Sequence, residues 1–205
     1  MSNPKSEFLA ALGGFVVSYS KVQNILQEGI YILSAKIHET EDNMVRVFMH
    51  DMSINQLEGI FLTLATEYGS TCAHIDDAEL KAIRTEISSQ LTELKRLRNR
   101  MMHSVWDEKF WEGSPGEHDY RMIYHRNKRF RFDLEDVEFD HDKLLDHSRT
   151  ALSLSEFIHD FLICISDGDT IPEKCFSNYF EFSDKKAVFP RERDIERCRN
   201  VYDYI

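Results

Sequence analysis

Apolar residues at Phe8, Leu12, Phe15, Tyr19, Val22, Leu26, Ile30, Leu33 and Ile37 recur at steps of three and four. That spacing keeps one face of a 3.6-residue helix apolar, and it predicts a single long amphipathic helix. The Gly13-Gly14 pair inside it costs helix stability, marking either close packing against a neighbour or a weak point near the start. After a polar stretch from Glu39, the cluster Val45, Val47, Phe48 and Met49 predicts a short helix. Ser53 and Gln56 then read as a capping box, in which each side chain bonds the other residue's backbone N–H. A second long helix opens there and carries Leu57, Ile60, Phe61, Leu64 and Tyr68 to a stop at Gly69-Ser70.

The same three-and-four step returns from Asp76-Asp77 through Leu80, Ile83, Ile87, Leu91, Leu94, Leu97, Met101 and Val105, predicting a third long helix that ends around Trp106-Asp107. Turn chemistry follows from Trp111 to Glu117. Two alternating runs come next, Tyr120, Met122, Tyr124 and then Phe130, Phe132, Leu134. They predict a β-hairpin over residues 119–135 with Arg126-Asn127-Lys128 as its turn. A fourth long helix starts after Asp140, buries Leu144, Leu145, Ala151, Leu152, Ile158, Phe161, Leu162 and Ile165, and stops at Asp167-Gly168-Asp169. Beyond Thr170 the periodicity fades. Phe176, Tyr179, Phe180 and Phe182 predict packing or a short strand, and Pro190 stands at the first turn of a final short helix with Ile195, Cys198, Val201 and Ile205. The expected fold class is mainly α: an antiparallel four- to five-helix bundle over residues 1–169 with an inserted β-hairpin, then an α/irregular C-terminal appendage over 170–205.

Composition supports a folded chain. At 205 residues, 42% hydrophobic and 30% charged, with 8 Gly and 4 Pro, the protein has enough apolar surface for one sizeable core and little room for long linkers. The start, Met1 to Glu7, lacks the basic segment and apolar run of a signal peptide, and the longest apolar stretch, Phe8 to Val17, is too short to span a bilayer. The expectation is a cytoplasmic protein with no membrane partner. Cys72, Cys164, Cys175 and Cys198 are widely spaced, without a CxxC pair or a Cys/His cluster, and are expected to be reduced and mostly buried.

A net charge of −11 disfavours broad affinity for a polyanion, so any nucleic-acid contact must be local. Positive charge is concentrated in Lys95-Arg96-Leu97-Arg98-Asn99-Arg100 and in Arg121, Arg126, Lys128, Arg129 and Arg131, ahead of an acidic run from Asp133 to Asp142. Such runs are either solvated faces or local contacts. The second basic patch interleaves with Tyr120, Tyr124, Phe130 and Phe132, which suits a base-stacking platform or an ordinary strand with aromatics turned inward.

The chemistry of most interest lies near the end of the third helix, at Arg98-Asn99 followed by His103. Asn99 and His103 are four apart and share a helical face, whereas Arg98 lies about 140° round from His103. Arg98 therefore needs its long side chain, or a frayed last turn, to converge with the imidazole. A histidine titrating near neutrality can take the proton of a ribose 2′-hydroxyl or donate one to the leaving 5′-oxygen, while a guanidinium holds the phosphate and its transition-state charge. Neither role needs a metal, and the 2′-hydroxyl nucleophile restricts the substrate to RNA. The plain alternative is a helix C-terminus whose cations complement the macrodipole.

The RNxxxH spelling from Arg98 to His103, with Trp106 three residues further on and a helical bundle around it, resembles the HEPN superfamily. The resemblance covers residues 5–168 in organisation and Arg98 to Trp106 in residue detail. It implies a metal-independent endoribonuclease that acts as a homodimer, with two motifs facing a shared cleft, as in toxins and antiviral effectors. Carried over, Arg98 binds phosphate, Asn99 orients the site and His103 is the acid or base; by charge alone, Lys95, Arg96 and Arg100 are the expected RNA contacts. Many relatives have Gly after the His, where this chain has Ser104. A toxin implies an antitoxin or other regulatory protein partner. The alternative is a catalytically silent dimerisation or protein-interaction module on the same bundle. No cofactor is expected. Asp142, Asp146 and His147 lie close together but lack HExxH logic, and Gly113-Ser114-Pro115-Gly116 is no nucleophile elbow, so no metal site is expected either.

Overall fold

The computed structural model describes residues 4–38, 43–71, 77–106, 120–128, 131–139, 141–166, 181–183 and 186–188, with side chains over 7–37, 44–70, 77–102 and 142–166. The described chain is mainly α-helical: α1 is Pro4–His38, α2 Asn43–His50, α3 Ile54–Thr71, α4 Asp77–His103 and α5 His141–Ser166. Short extended segments complete it. β1 (Ser104–Trp106), β2 (Tyr120–Lys128) and β3 (Arg131–Phe139) pair antiparallel in that order, and β4 (Glu181–Ser183) pairs with β5 (Lys186–Val188).

Three boundaries differ from the sequence expectation. α3 runs through Gly69 and Ser70 to Thr71. The glycine at 69 fits close packing and not a helix stop: its bare Cα faces Leu80, whose side chain would come within 3.0 Å of a Cβ there. α4 ends at His103, and Val105, expected on its apolar face, pairs with Ile123 instead. Arg126, Asn127 and Lys128, expected as a turn, lie within β2 opposite Asp133, Phe132 and Arg131. A longer ladder satisfies backbone N–H and C=O groups that a turn at that point would leave open. The predicted stop at Asp167-Gly168-Asp169, the final helix from Pro190, and Cys72, Cys175 and Cys198 lie outside the described residues. Cys164 is buried and free.

The chain forms two compact units, Met1–Tyr19 with Leu91–Ala151, and Ser20–Gln90 with Leu152–Ile205. In the first, Phe8, Ala11 and Phe15 of α1, Leu91, Leu94, Leu97 and Met101 of α4, and Leu144 and Ala151 of α5 are buried. Phe15 and Tyr19 pack with ring centroids 6.1 Å apart. Gly14 meets Ser148 Oγ only at ordinary contact distance, 3.9 Å from an added Cβ, and Gly13 faces open space. The glycine pair is therefore a local weak point in α1 and not a tight helix crossing.

In the second unit, α1 continues its seam with Val22, Leu26, Ile30 and Leu33, and α3 supplies Leu57, Phe61 and Ala65. Leu80, Ile83 and Ile87 of α4 and Phe157, Ile158, Phe161 and Ile165 of α5 close this core, all but Leu80 at zero exposure. Each such large apolar side chain contributes about 1.5–3 kcal/mol relative to leaving it in water. Gly29 is where the helices come closest, since a Cβ there would stand 2.6 Å from Phe61 and 2.9 Å from Leu162. Ser53 caps α3 as expected: its backbone N–H donates to Gln56 Oε1 at 2.9 Å, and the Gln56 N–H donates to Ser53 Oγ at 3.4 Å. Among the described residues no helix is long and apolar enough to cross a membrane.

Candidate functional site

The motif sits on the C-terminal half of α4, within the first unit. Burial of Leu91, Leu94, Leu97 and Met101 fixes the rotation of this helix, and the polar residues between them are left on its outer arc. Glu93, Arg96 and Asn99 are exposed, while Lys95, Arg98 and Arg100 are half-buried. A run of cations is thus held on a helix whose other side is anchored in the core.

Arg98 and Asn99 are in direct contact, with Arg98 Nη1 donating to Asn99 Oδ1 at 3.2 Å. Arg98 also faces α1. Burial raises the Tyr19 phenol above its ordinary value, and the Arg98 charge opposes that shift by favouring the phenolate. Arg96 points elsewhere: its Nη2 donates to Glu93 Oε2 at 2.7 Å, and both groups are more than half exposed. The two arginines diverge because successive helical residues turn by 100°, which sets positions 96 and 98 about 160° apart.

Across from the Glu93–Arg96 pair stands His147 of α5, half-buried on the turn between the buried residues Leu144 and Ala151. Burial lowers its pKa below 6.5. Asp146 pulls it up, Arg96 lowers it further and Glu93 raises it. Arg149 Nη1 donates to Asp146 Oδ1 at 3.1 Å beside it.

His103 is the last residue of α4, and its side chain lies outside those described. The helix is continuous through position 103, so no frayed turn before it swings Arg98 round. Position 103 is two turns beyond Arg96 and within about 20° of its direction. Of the residues singled out from sequence, Arg98 and Asn99 come together, and Arg96 shares the helical face of position 103. The side chains of the second basic patch, Arg121 to Arg131, lie outside those described.

Tyr19 and His147 were not legible as members of this cluster. Tyr19 reads as one more apolar position of the α1 stripe, and the hint for His147 is its place at i+3 from Leu144 and i−4 from Ala151, on the inward side of α5. Among the described residues no group of three or more His, Cys, Asp or Glu side chains gathers as metal ligands do.

A separate shallow cleft in the second unit is lined by Asn24, Gln27, Glu28, Tyr31, Arg46 and Met49. The Arg46 guanidinium lies 4.0 Å over the Tyr31 ring, and Gln27 Nε2 donates to the Met49 carbonyl at 3.0 Å. These contacts tie α2 to α1. Comparison with protein-family models, curated proteins and solved structures finds no match to this chain.

Proposed function

We propose that the chain is a metal-independent endoribonuclease of HEPN type, a toxin or defence effector of the cytoplasm that works as a homodimer. The observation that carries this reading is the direct Arg98–Asn99 contact, at 3.2 Å, amid the cations of a helix whose apolar side is locked in the core. In this reading Arg98 binds the scissile phosphate, Asn99 holds Arg98 through its Oδ1, and His103 moves a proton. Lys95, Arg96 and Arg100 guide the RNA by local charge on an otherwise acidic protein. The 2′-hydroxyl attacks phosphorus, the 5′-oxygen leaves, and the product ends in a 2′,3′-cyclic phosphate. The paired segments β2 and β3 form an inserted hairpin on an antiparallel bundle, and a regulatory protein or antitoxin restrains the activity. Support for self-association comes from α1, which carries no charged residue between Glu7 and Lys21 and exposes Leu9, Val16 and Val17.

The decisive experiment is cleavage of labelled single-stranded RNA and tRNA in excess EDTA by wild type, Arg98→Ala and His103→Ala. Cutting that both substitutions abolish supports the proposal, and no cutting by the wild-type dimer refutes it. A second reading, a silent interaction module, is favoured by one observation: α2 exposes Met44, Val47 and Phe48 at 54%, 64% and 65%. Those three residues form a ready contact surface for a protein partner.

A further inference from the structure

We infer that the outer face of α1 pairs with α1 of a second copy of this chain, antiparallel across a two-fold axis at Gly14, so that Glu7 of each copy meets Lys21 of the other. This inference rests on the homodimer part of the reading above and adds the surface and the direction of the pairing.

Burial of Phe8, Ala11 and Phe15 fixes which side of α1 looks outward. On that outward side Leu9, Val16 and Val17 are exposed at 49%, 48% and 59%, and Gly13 and Gly14 are exposed beside them. No residue from Phe8 to Ser20 is charged, over about 18 Å of helix. In a chain that is 30% charged, an outward face of that length is expected to carry charge if it meets only water. The residues that bound it are Glu7 and Lys21, both exposed. Neither belongs to an ion pair among the described residues. They stand two heptads apart on one unbroken helix, along a line that drifts by about 40°, with Gly14 midway between them.

That pattern selects the direction of pairing. Two copies related by a two-fold axis make each contact twice. A parallel pairing sets Glu7 against Glu7 and Lys21 against Lys21, and like charges repel. An antiparallel pairing centred on Gly14 sets Glu7 against Lys21 at both ends. Opposite charges at equal distances from a central glycine are what self-pairing requires, and a foreign partner has no need of them. The centre also suits close approach of two backbones. Nothing stands within 4 Å of an added Cβ at Gly13, and at Gly14 only Ser148 Oγ does, at 3.9 Å. Leu9 and Val17 flank the crossing and supply apolar area, while the solvated end charges fix orientation more than affinity.

Sedimentation equilibrium of the full-length protein tests this, at low salt, where exposed charges are least screened. The wild type is expected to dimerise. Val17→Lys should raise the dimer dissociation constant about tenfold or more, by burying a cation on each side of an apolar contact. Glu7→Lys and Lys21→Glu should each weaken the dimer. The double variant Glu7→Lys/Lys21→Glu should restore it, because the end pairs are then reversed and not lost. Every altered side chain is exposed, and circular dichroism checks that the helices persist. A wild type that stays monomeric overturns the inference together with the homodimer part of the ribonuclease reading. A dimer that no variant weakens overturns the α1 interface and leaves that reading standing, with its dimer on another surface. A dimer weakened by Val17→Lys alone, or still weak in the double variant, overturns the antiparallel register.

Discussion

Ser88 Oγ on α4 donates a 2.7 Å hydrogen bond to Oε1 of Glu58, a buried carboxylate on α3. A carboxylate taken out of water depends on such donors, and a bond to a charged group contributes about 1.5–3 kcal/mol. Ser88→Ala should therefore lower the unfolding free energy by about 1.5 kcal/mol, read from urea midpoints at constant slope. An unchanged midpoint would mean that the bond contributes nothing.

Glycines in α1 and α3 should respond to alanine according to the space beside each. At Gly13 and Gly59 nothing stands within 4 Å of an added Cβ, so removing the backbone freedom of glycine should stabilise the helix by about 0.5–1 kcal/mol. At Gly29 the new methyl would meet Phe61 and Leu162, both buried and unable to withdraw. Overpacking should outweigh the propensity gain, for a net loss of about 1–2 kcal/mol. Thermal melts of the three variants should rank with Gly13→Ala and Gly59→Ala above wild type and Gly29→Ala below.

His147 makes folding sensitive to acid. Its folded pKa is below 6.5, so as pH falls through 6.5 the unfolded chain binds a proton first and gains stability relative to the fold. Between 6.5 and the lower folded pKa, stability rises with pH; above 6.5 this group has no further effect. His147→Gln should flatten the drop in melting temperature on going from about pH 7.5 to about pH 5.5. An identical pH slope in the variant would show that acid sensitivity arises elsewhere.

On α2, Phe48 contributes surface and not core. Phe48→Ser should leave stability within about 0.5 kcal/mol of wild type and reduce binding of a fluorescent apolar dye. A large loss of stability would place Phe48 inside a core that the described contacts do not contain.

Helix seams were legible in the sequence because burial leaves a periodic trace. Phe8 through Leu33 show it for α1, and Ser53 with Gln56 marks the start of α3 from two residues alone. Features that depend on a distant neighbour were not legible. Gly69 resembles a helix stop until Leu80 is beside it, and nothing local says that Met49 turns inward while Val47 and Phe48 face water. The candidate site divides the same way. Arg98 and Asn99 stand next to each other in the chain and are readable from spelling, whereas Tyr19 and His147 reach Arg98 and Arg96 from α1 and α5 through packing that no short window of sequence contains.

The Ser53–Gln56 cap also bears on the order of folding. It joins residues three apart, whereas the bond from Lys36 Nζ to the Ser166 carbonyl joins residues 130 apart. Closing a loop of a few residues takes well under a microsecond, and a contact spanning most of the chain must await collapse. The first turn of α3 can therefore be in place while the ends of α1 and α5 are still strangers, giving the polypeptide a starting point that owes nothing to its finished interior.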